Sequence, residues 1–137
     1  LRIRDEQYAI DIEGGRIEPG ALNVTTQGFH AADYHYTAVL TIERLPAASL
    51  QLLLLLVLLW LTEHDTLRDR YRLPWPSVDV MDAGDHMQDV VLEIAMVDQF
   101  HLGEDPAGPL EIDGTRYAVD AFELIAATGG DVQGGTL

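Results

Sequence analysis

Between Tyr34 and Arg44 the chain reads YHYTAVLTIER, in which apolar and polar positions alternate with period two. Tyr34, Tyr36, Ala38, Leu40 and Ile42 fall on one side, and His35, Thr37, Val39, Thr41 and Glu43 on the other, as a half-buried strand requires. Residues 90–100 repeat the pattern, with Val90, Leu92, Ile94 and Met96 on the apolar side. Tyr8, Ile10 and Ile12 alternate ahead of Gly14-Gly15, which predicts a hairpin turn there. Leu110 and Ile112 precede Asp113-Gly114, a strong two-residue turn signal, with Tyr117–Leu124 as the return strand. Ser77–Met81, after Pro74-Trp75-Pro76, predicts a further short strand.

One segment breaks the alternation. Ala47–Leu61 reads AASLQLLLLLVLLWL, behind Pro46, which suits the first turn of a helix. A membrane span needs about 20 apolar residues. The run here has fifteen positions, contains Gln51 and ends at Glu63-His64-Asp65. It lies mid-chain, so it is no signal peptide. The expectation is a core helix over Leu50–Leu61, apolar on every side, with Trp60 against a sheet. One side packs on that sheet, and the other needs cover from another helix or another subunit. Strands, one long helix, then strands predict an α+β fold: a mainly antiparallel sheet packed against one long apolar helix. Residues 1–127 are read as a single domain and 128–137 as a flexible Gly-rich tail.

Composition narrows the function. With 137 residues the chain can bury a sizeable core without disulfides, and it has no cysteine. That removes thiol nucleophiles, cysteine-bound zinc and iron–sulfur clusters. Asp and Glu number 23 against 8 basic residues, for a net charge of −15, and every basic residue is arginine. Schiff-base and P-loop lysine chemistry is excluded, and duplex binding, which needs cations to displace phosphate counterions, is disfavoured. There is no GxSxG and no helix-opening GxGxxG.

The clusters that remain have ordinary readings. Asp82, Asp85, His86 and Asp89 offer oxygens to a hard cation but lack the EF-hand spacing, and read as a solvated loop between strands. His30, Asp33 and His35 lack ligand spacing and read as a loop end followed by the solvent face of a strand. His101 with Glu104-Asp105 reads as a strand end. No catalytic residue, cofactor site or metal site is expected. Thr66–Pro76 (TLRDRYRLPWP) is different. Arg68, Arg70 and Arg72 stand within five residues, beside Tyr71 and Trp75. An extended chain would put the three arginines on one face, a basic stripe suited to an acidic protein partner. The alternative is a linker with Trp75 tucked into the core.

The arrangement resembles the tail completion protein R family of contractile-tailed temperate phages of the Peduovirus type. The resemblance rests on the strand entry Tyr34–Ile42, the helix ending Val57-Leu58-Leu59-Trp60-Leu61, the strand Gln88–Asp98 and the hairpin turn Asp113-Gly114. The chain departs from the family pattern in lacking a helical segment before Leu1, and in the sequence Glu63-His64-Asp65-Thr66-Leu67 after the helix. The resemblance implies a tail-terminator-like fold and a non-enzymatic virion protein. It would form a homo-oligomeric, sixfold ring at the head-proximal end of the tail, after assembly in the host cytoplasm. Its partners would be the tube and sheath proteins and the head–tail connector, with DNA passing through the lumen without specific binding and no membrane involved. Arg68, Arg70, Arg72 and Trp75 would lie near the contacts. The alternatives are another adaptor or minor structural protein of a contractile tail or injection system, or a small metal-binding enzyme built on Asp82, Asp85, His86 and Asp89.

Overall fold

The computed structural model describes residues 3–119. Seven strands form one sheet: β1 (Tyr8–Pro19), β2 (Val24–Thr25), β3 (Gly28–Pro46), β4 (Ser77–Gly84), β5 (Met87–Glu104), β6 (Leu110–Ile112) and β7 (Thr115–Val119). The order is β1-β3-β5-β7-β6, with β2 paired to β3 and β4 paired to β5. Every pairing is antiparallel. Between β3 and β4 lie the long helix α1 (Leu50–His64) and the short helix α2 (Leu67–Tyr71). The molecule is therefore α+β, as the segregated pattern predicts.

β3 and β5 are the spine, at 19 and 18 residues. Their register sets Tyr36 opposite Met96, Ala38 opposite Ile94, Leu40 opposite Leu92 and Ile42 opposite Val90. Directly opposed residues project to the same side of a sheet, so the two alternating patterns merge into one apolar face. Tyr8, Ile10 and Ile12 of β1 extend it. α1 lies on this face through Leu50, Leu53, Leu54, Val57 and Leu61, positions at helical spacing that form a single stripe.

Three expectations need correction. Gly14-Gly15 is no turn: β1 runs through it, and the register against β3 shifts between Glu13 and Gly15. This is a β-bulge, and glycine is required because a Cβ at Gly15 would stand 1.7 Å from the His35 carbonyl oxygen. The chain reverses further on, at Thr26-Gln27 between β2 and β3. Trp60 does not face the sheet; it is 41% exposed and stacks on His64 with ring centroids 4.9 Å apart. The reason is rotation: Val57 and Leu61 take the inner stripe, and Trp60, 100° before Leu61, falls outside it. Thirdly, the helical stretch runs longer than the apolar run suggests. With its leading 3₁₀ turn, Ala47–His64 is long and apolar enough to cross a membrane, although its inner stripe is committed to the sheet.

The outer side of α1 carries Leu52, Leu55, Leu56, Leu58, Leu59 and Trp60, each between 41% and 54% exposed. Asp113 and Gly114, both at positive φ, make the predicted turn between β6 and β7. β7 is described to Val119, so the rest of the predicted return strand lies outside the described residues. The same holds for the tail at 128–137 and the end of the 1–127 domain.

The two sides of α1 differ in what truncation should cost. Leu61→Ala removes a side chain 2% exposed and should lower the stability of the dilute subunit by about 2–5 kcal/mol. Trp60→Ala and Leu59→Ala should each cost about 1 kcal/mol or less. Urea midpoints on the three variants check the assignment.

Candidate assembly interface

Thr66–Pro76 is not extended. Leu67–Tyr71 close a turn of helix, and Arg72 ends it in the left-handed region at φ 53°. Helical rotation separates side chains that a strand would align. Arg70 and Arg72 are exposed, whereas Arg68 is 3% exposed and unavailable to a partner. The predicted stripe of three arginines is thus an inner strut and two outer charges.

Arg68 sits beside β5 just past the end of its pairing with β4. β4 pairs with β5 as far as Glu93, and β7 begins to pair at Leu102. The edge between them is crossed by the α2 segment. The Arg68 guanidinium donates to the Ala95 carbonyl at 2.8 Å, to the Pro74 carbonyl, and to Asp65 Oδ2 at 3.1 Å. Asp65 is itself buried and its backbone N–H caps α1 on the Leu61 carbonyl. One side chain thereby ties the end of α1, the Ala95 carbonyl of β5 and the lead into β4. Trp75 is not in the core; it is 54% exposed, with the Arg68 guanidinium carbon 5.2 Å from its ring centroid.

α2 then carries Tyr71 onto the opposite face of the sheet. Its ring meets His35 edge-on at 5.8 Å, and its hydroxyl accepts from Gln99 Nε2 at 3.1 Å. Burial pushes the Tyr71 hydroxyl upward, partly offset by the Gln99 donor, and nearby Asp33 adds to the rise. Asp33 is buried and accepts from His30 Nε2 at 2.6 Å. His30 Nδ1 accepts from the Ala21 backbone N–H at 3.2 Å, which leaves the ring proton on Nε2. His101 stacks on His30 at 5.3 Å. His30 is therefore neither in a loop nor on a solvent face, contrary to the sequence expectation, because β3 begins at Gly28 and the β1–β2 connection closes over it.

His35 faces Glu18 at 3.4 Å, and Arg16 holds Glu18 at 2.6 Å. That hydrogen bond from Arg16 is the main reason the Glu18 carboxyl sits below its usual range. A cleft of about 330 Å³ opens here, lined by Gly14, Gly15, His35, Tyr71, Arg72 and Leu73 among others. The acidic cluster is a hairpin end. Asp85 and His86 take positive φ in the β4–β5 turn, Asp82 Oδ1 accepts from Gly84 N–H, and Asp89 Oδ1 from Arg44 N–H. Among the described residues no group of three or more histidines and carboxylates is placed to hold a metal ion.

On the apolar face, Tyr36 and Asp98 form a contact the sequence did not suggest. Burial and the Asp98 charge push the Tyr36 hydroxyl far up. Burial also raises Asp98; the neighbouring Tyr36 hydroxyl opposes that rise, and Asp65 adds to it. The only legible sign of this corner was the i, i+3 spacing of Asp65 and Arg68.

A family model described as P2 phage tail completion protein R (GpR) matches residues 1–121. A protein of Haemophilus phage HP1 (strain HP1c1), described as an uncharacterized 19.2 kDa protein in the rep–hol intergenic region, is 29% identical over 126 residues. The aligned part covers 88% of this chain and 74% of that protein. No solved structure matches.

Two outcomes follow from this corner. Arg68→Ala leaves Asp65 buried without its partner and should cost about 3–5 kcal/mol, whereas Arg70→Ala and Arg72→Ala should stay within about 0.5 kcal/mol; denaturant titration separates them. Asp98 keeps its proton to higher pH when folded than when unfolded. In that window the native state binds more protons, so stability falls as pH rises from the ordinary value of 3.8 through the raised one. Asp98→Asn should remove that decline and be the more stable form at neutral pH, as read by melting temperature across pH.

Proposed function

The chain belongs to the P2 phage tail completion protein R family, and from that premise we propose that it closes the head-proximal end of a contractile tail as a ring of identical subunits. The coarser reading follows from membership: this is a tail completion protein, a structural component of the virion. In the finer reading the ring stops tube and sheath growth and offers the head its docking surface.

What carries the ring reading is the difference between the two lateral borders of the sheet. One border is β1, an edge strand among the described residues, with exposed Asp11, Glu13 and Glu18. The other is made of β4, the α2 segment and the β7–β6 hairpin, and there the exposed Arg70, Arg72 and Trp75 stand among Asp69, Asp79 and Asp82. Unlike borders suit a heterologous contact, which closes into a ring when the rotation allows. Arginines on one border meeting carboxylates on the next set register and association rate more than strength. Sheet edges and α2 would thus lie near the contacts, with Arg68 supporting the segment from inside. The net charge of −15 suits a lumen that DNA crosses without adhering, since it repels phosphate. No catalytic step is proposed for any of its residues, and the partners would be tube, sheath and connector proteins.

Electron microscopy of tails carrying a labelled copy tests this. The expected result is a ring of label at the head-proximal end. Label elsewhere, or single copies, would remove the terminator reading. Arg70→Glu with Arg72→Glu should keep the subunit folded and weaken tail capping by roughly fivefold per contact at low salt. Capping equal to the unaltered protein would exclude these arginines from the interface.

A further inference from the structure

An α-helix is about 10 Å across, and neighbouring strands are about 4.8 Å apart. One helix therefore covers about two strands. At the level of α1 the sheet has four: β1, β3, β5 and β4. α1 packs on side chains of the first three. β4 is left out. Val78 and Val80 pair with Leu92 and Val90 and so point to the α1 side of the sheet, yet each is 40% exposed. Beside the ridge of α1 there is thus a slot along the β4 edge of the sheet, floored by these two valines.

The ridge itself is leucine on its outward side. A helix apolar all round is one that is buried all round. An amphipathic helix from a foreign protein, laid in the slot, would cover the valines and one flank of α1 but leave its crest exposed. A second copy of the chain covers both. A convex ridge beside a concave slot is self-complementary under a twofold axis. With two copies face to face, α1 of each lies in the slot of the other, and both helices end up sandwiched between two sheets. The exposed leucines, Trp60, Val78 and Val80 present on the order of 700 Å² of apolar surface, above the usual largest patch of a monomer. With its polar rim the face reaches the roughly 800 Å² per partner that stable complexes bury.

We propose that the free protein is an isologous dimer in which the α1 ridge of each copy fills the β4 slot of its partner. This contact is separate from the lateral borders assigned to the ring, and it stands whether or not the ring does. Each copy carries −15, and Asp82 lies at the slot. Like charges make the association weaker at low salt, so it tightens as salt is added. The arginine–carboxylate contacts of a ring would respond in the opposite sense.

Sedimentation equilibrium on the full chain at micromolar concentration, from about 0.05 to 0.5 M NaCl, is the test. The expected result is a dimer that tightens with salt. Val80→Glu in the slot and Leu55→Glu on the ridge each occur twice in the dimer. Each should weaken association about a hundredfold or more by burying unpaired charge, with circular dichroism unchanged. Trp60 gives a second readout: in a Trp75→Phe background its emission should shift to shorter wavelength as the copies associate. A monomer throughout the range, a closed higher oligomer, or a dimer indifferent to both substitutions would overturn the proposal. Tail position and capping, tested separately by microscopy, would be untouched by that result.

Discussion

A slip of one residue between β3 and β5 would turn every side chain of one strand to the other face of the sheet. The rest of the molecule depends on that register holding. It sets the apolar halves of two long strands side by side, and only then is there a surface on which α1 can lie. The same register puts the polar halves together on the far side, where His35 faces Val97 and Asp33 faces Gln99. The bulge at Gly14-Gly15 and the shifts near His30 and Ile42 offset the pairing by a residue, so that β1 follows β3 from Ile42 to Ala32 and β5 follows it from Pro46 to Phe29.

The spine creates a local problem that Arg68 answers. β4 pairs with β5 only as far as Glu93, and just beyond it the Ala95 carbonyl takes its donor from a side chain. Arginine can donate to several acceptors in a fixed planar fork, which lysine cannot. Its charge is met by Asp65 in a buried pair. Such a pair adds little compared with well-packed apolar residues, but breaking it strands a charge. The pair therefore determines the path of α2 more than it adds net stability. From that path follow the exposure of Arg70 and Arg72 and the reach of Tyr71 to the opposite face.

The helix has the opposite character. Nothing in its own layer requires leucines on both sides, since the sheet takes only the inner stripe. An apolar outer side on a strongly acidic chain places two tendencies in tension: the hydrophobic face favours association, and the net charge resists it. For the contacts proposed above, assembly would therefore depend on ionic strength, with the lateral and the face-to-face contact answering in different directions.

The strands, the helix, the β6–β7 turn and the α+β class were legible in the sequence because each rests on periodicity, which a chain carries with it. The membership of the chain in a tail completion family was legible on the same strand–helix stretch. Charge and the absence of cysteine and lysine excluded whole classes of chemistry without any fold. What the sequence could not determine was anything set by which residue meets which across distance. Gly14-Gly15 is a turn or a bulge depending on whether β3 lies alongside it. His30 is buried because the β1–β2 connection folds over it and Asp33 accepts its hydrogen bond. Arg68 and Trp75 look equivalent to Arg70 and Arg72 as a basic-aromatic run, and only the acceptors at Asp65, Pro74 and Ala95 draw one arginine inside. Trp60 faces outward because the sheet selects the stripe of α1 it needs, and a helix that is leucine on every side does not announce which stripe that will be.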